Sequence, residues 1–254
     1  KEMCASVLMP GVQHMRHTLL PEHKFIKGQP DTGAELADDL ELIANKFEGE
    51  IAACIVEPIA GSTGILVPPK GYLDRLRKIC DKHGILLIFD EVITGWGRTG
   101  SPFASQEFNV TPDIMTLAKA TTNGVVPMGV VAVRDGIYDT VMDSAPEGAI
   151  ELFHGYTYSG IPSAVAAALA VQDIFEKEDI FNRVKEISPY FQEALHSLKD
   201  LECIENIRGY GLLGGVDIRK KDKPGKAGFE VYKSCYENGV NLKATGDALV
   251  LAPP

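Results

Sequence analysis

The stretch ILLIFDEVITGWGRTG, residues 85–100, decides the fold that we expect for this chain. Its first five residues, from Ile85 to Phe89, are all apolar, and the acidic pair Asp90 and Glu91 follows them at once. A short run that is apolar throughout is typical of a strand with both faces buried, as in a parallel sheet. The stretch therefore predicts a buried strand that ends in a carboxylate.

Strand-like and helical patterns alternate on both sides of this stretch. An amphipathic helical pattern at 34–47, an apolar run at 51–56 and a second helical pattern at 69–83 precede it. Two mostly apolar runs, at 114–118 and 128–133, follow it. Strands that alternate with helices indicate an α/β architecture, here with a mostly parallel sheet flanked by helices.

The pattern of predicted helices and strands changes after Gly160. Two long helical patterns are followed by shorter strand candidates and a further helical pattern, namely 162–177, 179–200, 203–207, 212–218, 227–238 and 240–243. We therefore expect a large domain over 1–172 and part of a smaller α+β domain over 173–254. The chain begins at Lys1 without an initiator and stops just after a strand-like run at 248–251, so we expect it to be a fragment of a longer protein.

The bulk properties argue against several classes of function. The formal net charge of −10 argues against a general binder of nucleic acid or of an anionic membrane. No apolar run reaches about 18 residues, so no spanning helix is expected. The five cysteines are scattered and odd in number, which argues against a disulfide framework or a structural zinc site. We predict a cytoplasmic protein that binds no metal.

Two predicted strands end in side chains of opposite charge. Asp90 follows the run at 85–89, and Lys119 follows the run at 114–118. Ligands of open α/β sheets bind at the carboxyl ends of the strands, and a dry, unpaired charge at such a place is costly. Position alone leaves two interpretations open: a functional pair, or a salt bridge or solvated strand ends.

The residues around both charges resemble a known family. The segment DEVITGWGRTG, residues 90–100, is similar to the D-E-V-x-x-G-x-G-R-x-G segment of class III aminotransferases, which belong to the fold-type-I group of pyridoxal-phosphate enzymes. AKATTNG, residues 118–124, is similar to their A-K-x-x-x-N-G segment. VEPIAG at 56–61 and HGYTY at 154–158 resemble two further family motifs in the family's order. The likeness covers nearly the whole chain and is closest to the omega-amino acid:pyruvate (beta-alanine:pyruvate) branch.

The resemblance implies roles for the two charged residues with pyridoxal 5′-phosphate as cofactor. The amine of Lys119 would bind the cofactor aldehyde covalently and, once released, would move a proton at the reacting carbon. Arginine could not do this, because it does not deprotonate in proteins. Asp90 would keep the ring nitrogen protonated, so that the ring accepts electrons.

Three more cofactor-binding residues follow from the same resemblance, each beside an ordinary structural alternative. Val92 would pack on a ring face, or only fill the core. Thr157 would reach the cofactor phosphate of a neighbouring subunit, which implies a homodimer or dimer-based oligomer with a shared active site; otherwise its hydroxyl serves a turn. Glu57 matches a family glutamate near the site, although a glutamate before a proline is also an ordinary strand exit.

The sequence departs from the family at several positions. The phosphate-binding turn and the aromatic residue that stacks on the cofactor, which relatives carry before Lys1, cannot be identified here. Many relatives have an arginine where this chain has Val250 and a gating glutamate where it has Ser62. The omega branch binds substrate carboxylate with an arginine where this chain has Lys243, and lysine is a point charge without the bidentate fork of arginine.

These features lead to one main hypothesis and two alternatives. The main hypothesis is an aminotransferase that moves an amino group from an omega-amino acid or amine, such as beta-alanine, to pyruvate, with Lys243 at the substrate carboxylate. The first alternative is a 4-aminobutyrate-type transaminase that uses 2-oxoglutarate. The second is a truncated chain without activity.

Overall fold

The computed structural model describes residue 7 and residues 9–254. The helices are α1 (Asp38–Lys46), α2 (Tyr72–His83), α3 (Ala104–Glu107), α4 (Asp135–Asp143), α5 (Pro162–Lys177), α6 (Ile180–His196) and α7 (Lys226–Glu237). The strands are β1 (Ala53–Val56), β2 (Leu86–Asp90), β3 (Ile114–Leu117), β4 (Val130–Val133), β5 (Ile204–Tyr210), β6 (Leu213–Ile218), β7 (Lys243–Thr245) and β8 (Ala248–Leu251). Short 3₁₀ turns lie at Pro21–His23, Ala34–Ala37, Lys119–Thr121 and Ser197–Asp200.

The first sheet has the strand order β1-β2-β3-β4. Strands β1, β2 and β3 are parallel neighbours, and β4 runs antiparallel to β3. In this register Val56 lies opposite Phe89, and Asp90 lies opposite Thr116. The predicted mostly parallel sheet is confirmed, and its three parallel strands point their carboxyl ends at one edge.

Helices α1 and α2 cover this sheet through one apolar cluster. Leu76 of α2 and Leu87 and Phe89 of β2 have no exposed surface. The predicted helix at 69–83 begins only at Tyr72, because Gly71 before it has the left-handed φ of 79°. Gly84, at φ 65°, ends the same helix, and the predicted end at residue 83 is confirmed.

The second sheet is antiparallel, with the order β5-β6-β8-β7. One face packs on α6 and α7 through side chains that include Leu195, Ile207, Val216 and Leu249. Loop residues after β1 and residues of the second sheet form a separate apolar cluster that contains Ile59, Ile65, Val67 and Leu213. The two sheets therefore share a packed contact.

Most predicted elements of the C-terminal half are confirmed, and one is wrong. Helix α5 has the predicted bounds, whereas α6 ends at His196 and a 3₁₀ turn completes the predicted range to 200. A strand was expected at 240–243, but β7 begins at Lys243. The amide of Val240 still donates to the carbonyl of Cys235, which closes the end of α7 and keeps this part of the chain out of the sheet.

Two further differences concern α4 and the cysteines. Helix α4 was not predicted, although its apolar residues Ile137, Tyr138, Val141 and Met142 have helical spacing; the helix buries none of them. Cys54 and Cys80 are buried, Cys235 is half-buried, and Cys203 is exposed. Cys4 lies outside the described residues.

Within the described part of the chain, no helix is both long and apolar enough to cross a membrane.

Candidate active site

Three of the predicted site residues lie at the same edge of the first sheet. Glu57 directly follows β1, Asp90 is the last residue of β2, and Lys119 comes two residues after the end of β3. Because these strands are parallel neighbours, their carboxyl ends meet at this edge. The fold thus brings a carboxylate and an amine together where α/β sheets bind their ligands.

Asp90 has one carboxylate oxygen bound and one available. Its Oδ1 atom accepts a hydrogen bond of 3.0 Å from the backbone amide of Val92, and its side chain is half-buried. Among the described residues, Oδ2 accepts no hydrogen bond and the carboxylate forms no ion pair. The structure therefore leaves one oxygen free for a donor that is not part of the chain.

Lys119 stands on a tight turn. It has the left-handed φ of 49° and opens the 3₁₀ turn after β3, with its side chain exposed. No carboxylate of the described chain lies within ion-pair distance of its amine, so a salt bridge to Asp90 is not formed. The amide of Gly124 donates to the carbonyl of Lys119 at 3.2 Å and closes the loop behind it.

A hydrogen bond joins the loop after Asp90 to the turn that carries Lys119. The Nε1 atom of Trp96 donates to the hydroxyl of Thr121 at 2.9 Å. That hydroxyl donates in turn to the carbonyl of Ala118 at 3.1 Å. The two segments with opposite charges are thereby connected through one side-chain contact that the sequence analysis missed, because only the fold brings positions 96 and 121 together.

Glu91, beside Asp90, has a structural role that was also missed. Its side chain has no exposed surface, and it accepts from the amides of Ala104 and Ser105 at 2.7 and 2.8 Å and from the Thr94 hydroxyl at 2.9 Å. These three donors satisfy a charge that would otherwise be costly to bury. Glu91 therefore fixes the loop that follows Asp90. Of the two acidic residues, Asp90 is the one whose carboxylate can contact a ligand.

Glu57 supports the loop that follows β1. Its Oε2 atom accepts a hydrogen bond of 2.8 Å from the amide of Gly61. A Cβ atom at Gly61 would lie 2.4 Å from Cδ1 of Ile93, so the side chain of Ile93 packs directly on this glycine. The loop after β1 is therefore packed on the loop after Asp90.

Arg208 ties the same loop to the second sheet. Its Nε atom donates to the carbonyls of Gly64 and Ile65 at 2.8 and 3.0 Å. Its terminal nitrogens bind both oxygens of Asp217 at 2.6 and 2.9 Å. Arg208 is buried, and Ile65 has the left-handed φ of 58°, so the guanidinium holds a strained part of the loop.

Lys243 lies opposite Val250 in the β7–β8 pair. Directly opposite residues of an antiparallel pair project their side chains on the same face of the sheet. Val250 packs against the apolar cluster of Ile59, Ile65, Val67 and Leu213, which joins the two sheets. The exposed side chain of Lys243 therefore belongs to the face of the second sheet that is turned to the first.

The remaining two candidates are placed differently. Val92 is half-buried and only two residues from Asp90, to which its amide is bonded. Thr157 is exposed in the segment 151–160, all of whose residues are exposed. Among the described residues, no hydrogen bond or ion pair connects Thr157 with Lys119, Asp90 or Glu57, so the single chain does not bring it into the same cluster.

No metal centre is indicated in the part of the chain that the structure describes. No three histidine, cysteine, aspartate or glutamate side chains are grouped there so that they could hold an ion. His14, His17 and His23 do not form such a group.

Comparison with known proteins gives a consistent result. The profile of aminotransferase class-III matches residues 1–254. An omega-aminotransferase of Caulobacter vibrioides is 50% identical over 250 residues, which are 97% of this chain and 57% of that protein. An omega-amino acid–pyruvate aminotransferase of Pseudomonas putida is 46% identical over 96% of this chain and 56% of its own length. This chain thus spans about half the length of the curated relatives it matches.

A solved structure gives the same result for the fold. The omega transaminase from Pseudomonas jessenii in complex with PMP superposes with a TM-score of 0.89 at 32% identity, covering 98% of this chain and 57% of that one. The predicted fold, a mostly parallel sheet flanked by helices with part of a smaller α+β unit, is that of this transaminase over the shared length.

Proposed function

The chain belongs to the class III aminotransferase family, and we propose that the full-length protein moves an amino group from an omega-amino acid or amine to pyruvate. The observation that carries the proposal is the placement of Asp90 and Lys119 at the carboxyl ends of neighbouring parallel strands, without an ion pair between them. The omega-amino acid–pyruvate aminotransferase named above supports the choice of donor and acceptor.

The side chains at the sheet edge fit pyridoxal 5′-phosphate, the cofactor of this family. When bound, this group supplies an aldehyde that an amine can hold and a pyridinium ring that accepts electrons. Lys119 offers the amine, exposed and unpaired among the described residues. Asp90 offers a carboxylate whose Oδ2 atom has no donor from the described part of the chain.

The two residues have complementary tasks in this proposal. Lys119 would hold the cofactor through its amine, and the same amine, when free, would move a proton at the reacting carbon of the substrate. Asp90 would hold the ring nitrogen in its protonated form through the charge of its carboxylate. The Val92 amide fixes the orientation of the Asp90 carboxylate by binding Oδ1.

We propose supporting roles for the three other cofactor candidates. Val92, half-buried next to Asp90, packs on the ring face. Glu57 shapes the site through its bond to Gly61, which holds the loop after β1. Thr157 binds the phosphate of the cofactor that a second copy of the chain holds. This would make the protein a homodimer or dimer-based oligomer with a shared active site. The exposed apolar side chains Phe153 and Tyr156 beside Thr157 are typical of a surface that another chain covers.

Lys243 is our candidate for binding the substrate carboxylate. Its exposed amine lies on the sheet face turned to the first sheet, directly opposite Val250. Val250 packs among apolar side chains, so the position where many relatives carry an arginine offers no charge here. This arrangement favours a substrate with one carboxylate over a dicarboxylate such as 2-oxoglutarate, and it therefore supports pyruvate as acceptor.

The proposal extends to the organisation of the protein. We propose that a large cofactor-binding domain ends at about residue 172, inside α5, and that a smaller domain follows, which agrees with the two separate sheets. We also propose a cytoplasmic location, because cysteines that are free among the described residues suit a reducing compartment.

The decisive experiment uses the full-length protein. Incubation with pyridoxal 5′-phosphate, reduction with borohydride and peptide mass spectrometry should place a pyridoxyl group on Lys119. Lys119→Ala should abolish turnover of beta-alanine with pyruvate, and Asp90→Asn should keep the cofactor but lose most of the rate, since it removes a positioned charge. A pyridoxyl group on another lysine, or multiple turnovers by Lys119→Ala, would contradict the assignment of Lys119 as the cofactor-binding lysine.

A further inference from the structure

Among the described residues, no hydrogen bond or ion pair fixes the direction of the Lys119 side chain. In the described chain its amine has no hydrogen bond or ion pair, and its backbone has the left-handed φ of 49°. The backbone of the turn sets the point and the Cα–Cβ direction from which this long side chain starts. The position of the amine therefore depends on what keeps the turn 119–121 in place.

Thr121 is the fixed point of this turn. It is only 2% exposed, its amide donates to the carbonyl of Ala118 at 3.1 Å, and its hydroxyl donates to the same carbonyl at 3.1 Å. The hydroxyl also accepts from Nε1 of Trp96 at 2.9 Å. Both functions of the hydroxyl are thus used, and its rotation is determined from outside the turn.

Trp96 is itself held firmly. Its amide donates to the carbonyl of Pro102 at 2.6 Å, and its φ of 61° is left-handed. Its ring packs against Phe103 at 5.4 Å and against Phe175 of α5 at 6.1 Å between ring centroids. A non-glycine residue is kept in such a conformation only where its surroundings determine it.

We propose that Trp96 is a positioning residue, which fixes the direction of the Lys119 amine through the hydroxyl of Thr121. The inference rests on the proposed function, in which Lys119 holds the cofactor. Among the described residues Trp96 has no hydrogen bond to the Lys119 amine. Its indole N–H joins the loop that follows Asp90 to the turn that begins at Lys119, and so adds a second link to the β2–β3 pairing in which Asp90 lies opposite Thr116.

The test compares Thr121→Val, Thr121→Ser and wild type as full-length proteins. Valine keeps the shape of threonine and loses the hydroxyl, whereas serine keeps the hydroxyl and loses a methyl group. Thr121→Val should raise the dissociation constant for pyridoxal 5′-phosphate about tenfold, as expected when a half-buried N–H loses its acceptor. It should also change the visible circular dichroism of the bound cofactor, which reports orientation. Thr121→Ser should restore both.

Three results would overturn the proposal. Thr121→Val with the affinity and the dichroism of wild type would show that the hydroxyl does not position Lys119. Equal losses in Thr121→Val and Thr121→Ser would assign the effect to packing of the methyl group. If Thr121→Val does not fold, Trp96→Phe replaces it in the test, because this change removes the indole N–H and keeps an aromatic ring. A Trp96→Phe variant with the cofactor affinity and dichroism of wild type would also contradict the proposal.

The proposed function can fail separately. If the wild-type protein binds no cofactor at Lys119, the proposed function is wrong, and the role of Trp96, which rests on it, is wrong as well. A wild-type protein that takes it up, with variants that do so equally well and in the same orientation, contradicts only the role of Trp96.

Discussion

The Nε atom of Arg208 lies 2.8 Å from the carbonyl oxygen of Gly64, so a buried side chain of the second sheet holds the loop that follows the first strand of the first sheet. The same guanidinium is bound in bidentate fashion by Asp217. This contact connects the candidate site to the C-terminal part of the chain.

Arg208→Met should destabilise the full-length protein by about 3 kcal/mol, because it leaves Asp217 without its partner and two carbonyls without a donor. The measurement is the urea dependence of unfolding. Arg219→Met is the matched control, since Arg219 is exposed and lies 3.9 Å from Glu205; its effect should stay below about 0.5 kcal/mol. Equal effects of the two variants would contradict the importance of the Arg208 contact.

Gly215→Ala should be destabilising by about 2–3 kcal/mol, because a Cβ atom there would lie 2.4 Å from the carbonyl oxygen of Gly64, and a backbone atom cannot move aside cheaply. Gly136→Ala in α4 meets nothing within 4 Å and should be neutral or stabilising by up to about 1 kcal/mol. Thermal unfolding of the two variants decides the question. A Gly215→Ala protein as stable as wild type would mean that the two sheets can separate without cost.

Asp113 should make the free energy of unfolding depend on pH in the acidic range. Burial acts to raise the pKa of Asp113, but the Leu87 amide, Arg77 and Arg134 outweigh it and hold the pKa below its usual value. The stabilisation is therefore complete above the unfolded pKa, about 3.9, and is lost as the pH falls through the lower folded pKa. Asp113→Asn should cost about 2–3 kcal/mol at pH 7, with the difference from wild type shrinking below about pH 4.

The measurement for Asp113 is urea unfolding at several pH values. Asp81→Asn is the control, because Asp81 also pairs with Arg77, at 2.7 Å, but is 63% exposed in its side chain. That variant should differ from wild type by less than about 0.5 kcal/mol. A difference between Asp113→Asn and wild type that grows on acidification would have the wrong sign for this explanation.

Lys243→Ala should lower kcat/KM for beta-alanine by about 1–3 kcal/mol in transition-state stabilisation and leave a simple aromatic amine nearly unaffected, since only beta-alanine has a carboxylate to bind. Lys243→Arg should retain or improve the activity with beta-alanine, because its fork can bind both carboxylate oxygens. Steady-state kinetics on the two donors make the comparison. Parallel changes on both donors, or none, would place the carboxylate elsewhere.

The strands at the sheet edge could be predicted because their sequences are unambiguous. The run from Ile85 to Phe89 is apolar throughout, is too short for an ordinary helix, and lies between Gly84 and a charge, a pattern that favours a buried strand. The placement of Asp90 and Lys119 at neighbouring strand ends then follows from the parallel pairing. Their predicted roles at the cofactor stay predictions.

The contacts that support the site could not be predicted, because they depend on the folded backbone. The bond from Trp96 to Thr121 joins residues 25 positions apart, and no pattern in the sequence marks it or the left-handed φ of Trp96. Lys243 faces the same side as Val250 only through the register of β7 and β8, and the strand itself began later than expected. Register depends on pairing and turn geometry rather than on local composition.

The approach of the β5–β6 hairpin to the loop after Asp90 has a consequence for how the molecule opens. The Leu212 amide donates to the carbonyl of Arg98 at 2.9 Å, and a Cβ atom at the neighbouring Gly211 would lie 2.3 Å from that same oxygen. Main chain thus meets main chain, with no flexible side chain between them. Amide protons on both sides of this contact should report one common free energy of opening in hydrogen exchange, since the hairpin and the loop cannot be exposed there independently.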